Sequence, residues 1–203
     1  MHQPARMLER AAWTCLLALL LLAGLPAGAQ QPAADVLQMQ VERTEDGVLL
    51  SATVGFELPP AVDDALAKGI PMFFVAEASI YRDRWYWYDK RVSSVARHMR
   101  LSYQPLTRRW RLQASSSPLG QSGLALGQSF DTREEALAAV QRISRWRIAE
   151  PRDIDPDALH YVDFRFRLDV SQLPRPFQIG AVGHSEWDVQ ASRVQRLPQE
   201  LAR

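Results

Sequence analysis

Leu37-Gln38-Met39-Gln40-Val41-Glu42-Arg43-Thr44-Glu45-Asp46-Gly47-Val48-Leu49-Leu50-Ser51-Ala52-Thr53-Val54-Gly55-Phe56-Glu57-Leu58 is the stretch on which the fold turns. Leu37, Met39 and Val41 alternate with Gln38, Gln40 and Glu42. Beyond Glu45-Asp46-Gly47, the apolar set Val48, Leu50, Ala52, Val54, Phe56 and Leu58 alternates with Ser51, Thr53 and Glu57. A period of two sends successive side chains to opposite faces of a strand. Asp-Gly between two such runs is a hairpin signal. The segment therefore reads as two antiparallel strands with one buried face and one wet face.

The same pattern recurs along the chain. Val162, Phe164, Phe166, Leu168 and Val170 alternate with Asp163, Arg165, Arg167 and Asp169. Further β-prone runs are Met72 to Tyr81, Trp85 to Tyr103, and Arg109 to Ala114, with Pro105 at the turn joining the last two. Phe177 to Val182 and Trp187 to Val194 read as short strands. Two helices interrupt them. One runs from about Pro60 to Lys68, with proline early and Gly69 just past its end. The other starts at Thr132, whose capping-box partner is Glu135, and carries Ala136, Leu137, Val140 and Ile143 on one stripe. Ser115 to Gly127 and Ala149 to Asp157 read as polar connections. About eight strands and two short helices predict a mainly β, antiparallel β-sandwich-like domain. An antiparallel sheet with helices on one face is the alternative.

The first residues are of another kind. Arg6 and Arg10 make a basic end, an uncharged run follows from Ala11, and Pro26-Ala27-Gly28-Ala29 closes it with small residues. This is the order of a secretory signal peptide over residues 1–29, leaving 30–203 as a single domain. The apolar run is short for a bilayer span, which needs about 20 residues, and Gly24 and Pro26 break it. A cleavable leader and a periplasmic location are expected, with an uncleaved N-terminal anchor as the alternative. Cys15, the only cysteine, lies inside that run, so the mature domain is expected to use neither disulfide nor thiol chemistry.

Charge balances overall, with 24 Lys+Arg against 23 Asp+Glu. No recognisable catalytic or metal motif stands out. His98, His160 and His184 are each isolated, so a zinc site would have to be assembled from distant positions. Asp153-Ile154-Asp155-Pro156-Asp157 opens like a calcium loop, but Ala158 and Phe164 stand where that loop needs glycine and glutamate. No Gly-x-Ser-x-Gly elbow or phosphate-cradling glycine loop occurs. No cofactor is implied, and a binding or interaction role is expected ahead of an enzymatic one. A hydrolase with scattered site residues is the weakest reading.

One stretch stands apart. Residues 81–111 hold nine basic side chains against Asp83 and Asp89, and include Arg82, Arg84, Trp85, Tyr86, Trp87, Tyr88, Arg108 and Arg109. On a strand, Trp85 and Trp87 share one face, and Tyr86 and Tyr88 the other. Either one pair enters the core while arginines clasp the other, or the ribbon is a docking face, since Trp, Tyr and Arg are enriched at interface hot spots. Export directs such a face away from nucleic acid and toward anionic lipid or an envelope protein.

Several segments together resemble a known family. They are Leu66-Ala67-Lys68-Gly69-Ile70-Pro71, Tyr81 to Trp87, Arg100-Leu101-Ser102-Tyr103, Leu106-Thr107-Arg108, Phe130 to Leu137, Trp146, Arg167-Leu168-Asp169, Leu173-Pro174-Arg175-Pro176 and Trp187. Their order over nearly the whole mature chain resembles the bacterial exported family called domain of unknown function 4390 (DUF4390). The resemblance implies no activity and no site residues. Through the placement of members beside membrane sensor histidine kinases of the nitrogen-regulation type, it implies an accessory to envelope signalling, with the kinase's periplasmic region as partner. The expected function is thus a periplasmic interaction domain docking through residues 81–111. A small-ligand or lipid-binding domain with a cavity between sheets is the alternative.

Overall fold

The computed structural model describes residues 34–83, 89–118, 126–181 and 187–201. The opening pair forms as read: β1 (Ala34–Thr44) and β2 (Gly47–Phe56) are antiparallel, joined through Glu45 and Asp46, with Thr44 opposite Gly47. Gly47 has φ +120°, and a Cβ there would strike the Ala149 carbonyl oxygen, so the position admits only glycine without strain. Val48, Leu50, Ala52, Val54 and Phe56 turn into the core. β1 departs from strict alternation. Its register shifts between Val36 and Gln38, a bulge that buries Val36 and leaves Leu37 62% exposed.

Seven more strands follow: β3 (Met72–Arg82), β4 (Lys90–Gln104), β5 (Arg109–Ser115), β6 (Leu126–Phe130), β7 (Arg142–Ala149), β8 (His160–Leu168) and β9 (Gln190–Arg196). They make two antiparallel sheets, β1-β2-β7 and β6-β5-β4-β3-β8-β9. The fold is mainly β, two-layered, with no closed barrel. Helices are α1 (Pro60–Ala67), α2 (Arg133–Gln141) and α3 (Arg175–Ala181). Gly69, at φ +85°, ends α1 as expected. The Gly69 and Ile70 amides donate to the Leu66 and Ala65 carbonyls, the paired bonds of a Schellman motif. The Thr132–Glu135 capping box at α2 forms in full.

Several expectations are corrected. Residues 177–181 of the strand expected from Phe177 to Val182 are helical, and Val182 lies outside the described residues: Phe177 and Gln178 donate to the Pro174 carbonyl inside α3, where prolines in a first turn forfeit only amides that lack a helical partner. β7 includes Ile143, expected on the helical stripe, and Ala149, expected to open a connection, because α2 passes into it without a turn. A register shift at Leu50/Ala52 and Arg145 at φ +43° also break its alternation. β6 takes in Leu126 and Gly127 from the end of the expected loop and continues to Phe130; Gln128 and Ser129 give it no apolar pattern, and its ladder with β5 defines it. The strand expected from Trp85 starts at Lys90, and that expected from Trp187 starts at Gln190.

The layers meet through aromatic rings. Phe56 of β2 lies 5.6 Å from Phe74 and 5.4 Å from Phe166, which face it from β3 and β8. Each such ring contributes about 1.5–3 kcal/mol by burial, and aromatic pairing adds about 0.5–1.5 kcal/mol. Over β5 and β6 the second layer is α2, tied to α1 by the Arg133–Asp63 ion pair at 2.6 Å. Among the described residues, no helix is long and apolar enough to cross a membrane.

Candidate functional site

Among the described residues, the basic stretch is divided between the two ends of β4. β3 ends at Arg82 and β4 begins at Lys90, so residues 83–89 connect them, and Arg84, Trp85, Tyr86, Trp87 and Tyr88 lie outside the described residues. Arg108 and Arg109 sit at the other end of β4, Arg108 in the turn at φ +52°. At about 3.3 Å per residue, the 15 residues of β4 separate the two groups by roughly 45 Å along the strand. Alternation then divides what lies between. Arg100 faces outward over the Phe73 ring at 5.8 Å, while Arg97 faces inward with Met99 and Leu101. Arg82 pairs with Asp155 at 3.1 Å, and Arg109 pairs with Asp131 at 2.8 Å.

At the β3–β4 end, the Tyr81 and Tyr161 rings stack at 5.2 Å. The Tyr161 hydroxyl donates to the Asp89 carboxylate at 2.8 Å. Desolvation, then that hydrogen bond and its negative charge, push the hydroxyl up to about 12, so it stays a donor. Beside it His160 is buried, 5% exposed, and its Nδ1–H donates to the Ala158 carbonyl. Burial lowers its pKa most, and the positive Arg82 adds to this, against the opposing effects of the Ala158 bond and Asp155. His98 alternates with Arg97 and Met99 and so shares the outward side of Arg100. Neither histidine lines a cleft with a hydroxyl and a carboxylate; His184 lies outside the described residues.

The main concavity lies on the other side of the six-stranded sheet, between β4–β6 below and α2 with β7 above. It is an open cleft of about 1120 Å³, at the top of the range of about 300–1,000 Å³ usual for ligand sites. Small side chains make the room: Ala114 on the floor, Ala138 and Ala139 on α2. The partly exposed Phe130 and Trp146 complete the apolar lining, with Met99 and Leu112 nearly covered beneath.

Into this space comes Arg97. Its guanidinium sits 5.1 Å from the Trp146 ring centroid, a cation–π contact. Burial lowers its pKa, the mark of a charge held partly out of water. Among the described residues no carboxylate pairs with it, nor with Arg142 on the same rim. The acids of the cleft are already engaged, Asp131 by Arg109 and Glu135 by the Thr132 amide. Arg97 and Arg142 thus stand without an ion-pair partner in a cleft whose rim also carries the charged Asp131 and Glu135. A guanidinium presents a planar fork of N–H donors, a geometry that matches an oxyanion.

Sequence reading placed Arg97 inside the basic stretch but not among the singled-out residues, and it missed Trp146 as a partner. The available signal was an arginine in phase with the buried Met99 and Leu101. Among the described residues, no group of three or more His, Cys, Asp and Glu could hold a metal ion.

A family model described as a domain of unknown function, DUF4390, matches residues 31–197, so the chain belongs to that family. No curated protein and no solved structure matches the chain.

Proposed function

We propose that this member of the DUF4390 family is an exported, periplasmic binding domain that takes a small ligand into its cleft and serves as an accessory in envelope signalling. The observation that carries the reading is Arg97, a cation at an inward strand position, under Trp146, with no carboxylate partner among the described residues. A half-buried charge left uncompensated is costly for a fold to keep, and an anionic ligand would compensate it. Native mass spectrometry of the protein taken from its own envelope should show a bound species that an Ala139→Phe variant lacks. A wild-type spectrum with only the bare chain sinks the reading. The leader over residues 1–29 supports export, and N-terminal sequencing of the mature protein should start at Gln30.

A second reading, docking on an envelope protein through the β3–β4 end, is supported by the Tyr81–Tyr161 stack next to the connection that carries Trp85 to Tyr88. Crosslinking in intact cells should then capture a partner, such as a sensor kinase, at this end and not at Arg108–Arg109. Capture at neither end counts against it.

A further inference from the structure

We infer that the cleft is built for a single-chain anionic amphiphile, an acyl or alkyl chain ending in a carboxylate or phosphate, with the anionic head on Arg97 and the chain along the apolar floor. The inference rests on the ligand-binding reading of the cleft and adds the chemistry of what it takes.

The floor and the charge are laid out in sequence along β4 and β5. Met99 stands opposite Ala114, and Leu101 opposite Leu112. Arg97 is one inward step beyond Met99, and Ser116 of the adjoining chain lines the same end. One end of the groove thus offers a guanidinium and a hydroxyl, and the rest offers the partly exposed apolar side chains of Ala114, Ala138, Ala139 and Phe130. A free sugar or a multiply charged metabolite would leave Phe130 and the alanines uncovered. A neutral hydrocarbon would leave the guanidinium uncompensated. Only a ligand with both characters satisfies both ends.

Charge supports the same occupant. Arg97 and Arg142 lack carboxylate partners among the described residues, while Asp131 is paired with Arg109 and Glu135 accepts from the Thr132 amide. A guanidinium matches either head through paired N–H···O bonds. Trp146 lies against the cation and leaves the rest of its fork for the ligand. Carboxylate and phosphate heads share this chemistry, and the probes below separate them.

The test is calorimetric titration of the purified full chain with dodecanoate, monododecyl phosphate and dodecanol, each below its micelle concentration. Wild type should bind at least one anion about tenfold or more tighter than dodecanol. Arg97→Gln should remove that preference, a loss of the size expected for a charge-assisted pair. Arg97→Lys, which keeps the charge without the fork, should fall between them and guards against a folding defect in the glutamine variant. The tighter of the two anions identifies the head. Equal affinity for all three probes in wild type, or an anion preference intact in Arg97→Gln, overturns the head-group assignment and leaves the cleft as a binding site. No binding of any probe, with Ala139→Phe indistinguishable from wild type, overturns the cleft reading as well.

Discussion

Along one row of the six-stranded sheet, Phe166 of β8, Ala76 of β3 and Arg97 of β4 stand side by side on the inward face. At one end of that row the ring meets Phe56 and Phe74, and the space between the layers is filled. At the other end the guanidinium meets Trp146 and an open cleft. Two regions of one interlayer space thus have opposite characters. The difference is the covering element. The β-sheet over β3 and β8 brings phenylalanine, leucine and valine, whereas α2 over β5 brings Ala138 and Ala139. A filled region holds the fold together, while an unfilled region that keeps a charge is available for binding.

The outer face of the same sheet supplies a control. Two of its arginines are compensated, Arg165 by Asp163 at 2.7 Å and Arg167 by Glu77 at 3.3 Å, whereas Arg100 rests on the Phe73 ring. Exposed pairs of this kind contribute about 0–1 kcal/mol each. Arg97 differs from them in burial and in lacking an acid, not in residue type.

The comparison can be broken most sharply at Phe166. Phe166→Ala should cost about 3–5 kcal/mol of unfolding free energy in urea denaturation, and a loss below about 1 kcal/mol would mean the packed half is not the stabilising one. Overfilling the same half comes next. Ala78 lies between Val95 and Phe164 with no exposed surface, so Ala78→Leu should cost about 1–3 kcal/mol. Thr132→Ala removes the cap that anchors α2 above the cleft and should cost about 1 kcal/mol by thermal unfolding.

A further effect is read as a slope with pH. The folded-state pKa of His160 lies below its ordinary value, so the folded state takes up its proton less readily than the unfolded chain. Stability from this group is complete above about pH 6.5 and is lost as pH falls below that value toward the folded pKa. Urea midpoints at pH 7.5 and 5.5 should differ more for wild type than for His160→Gln; parallel shifts would remove His160 from the account. The smallest effect is expected in the open half, where Ala139→Leu should change stability by no more than about 0.5 kcal/mol. A cost equal to that of Ala78→Leu would show that the cleft has no spare room.

Much of the fold was legible because local rules and tertiary placement agreed. The hairpin at Gly47, the end of α1 at Gly69 and the capping box at Thr132 each depend on a few neighbouring residues. The alternation of Val162 to Leu168 depends only on one face being buried. β7 was illegible for an equally local reason: a bulge at Arg145 inserts a residue and cancels the period of two. β6 exists because β5 offers it a ladder, which no property of Gln128 or Ser129 announces. The site was less legible. The basic composition of residues 81–111 is evident in the chain, but composition does not say which arginines find acids. Asp131 is 22 positions from Arg109 and Asp155 is 73 from Arg82, yet both are ion-paired.

By itself, then, the amino-acid sequence determined the mainly β character, the opening hairpin, the helix ends and the family, because these rest on short-range periodicity, turn chemistry and residue order. Tertiary structure alone decided that the basic stretch is split between two ends and two faces of β4. It also decided that Arg97 lies in a cleft beneath Trp146, 49 positions further along the chain. The physical reason is that compensation of a charge and the filling of a cavity depend on what folding brings opposite a residue, and the chain's own order does not encode that locally.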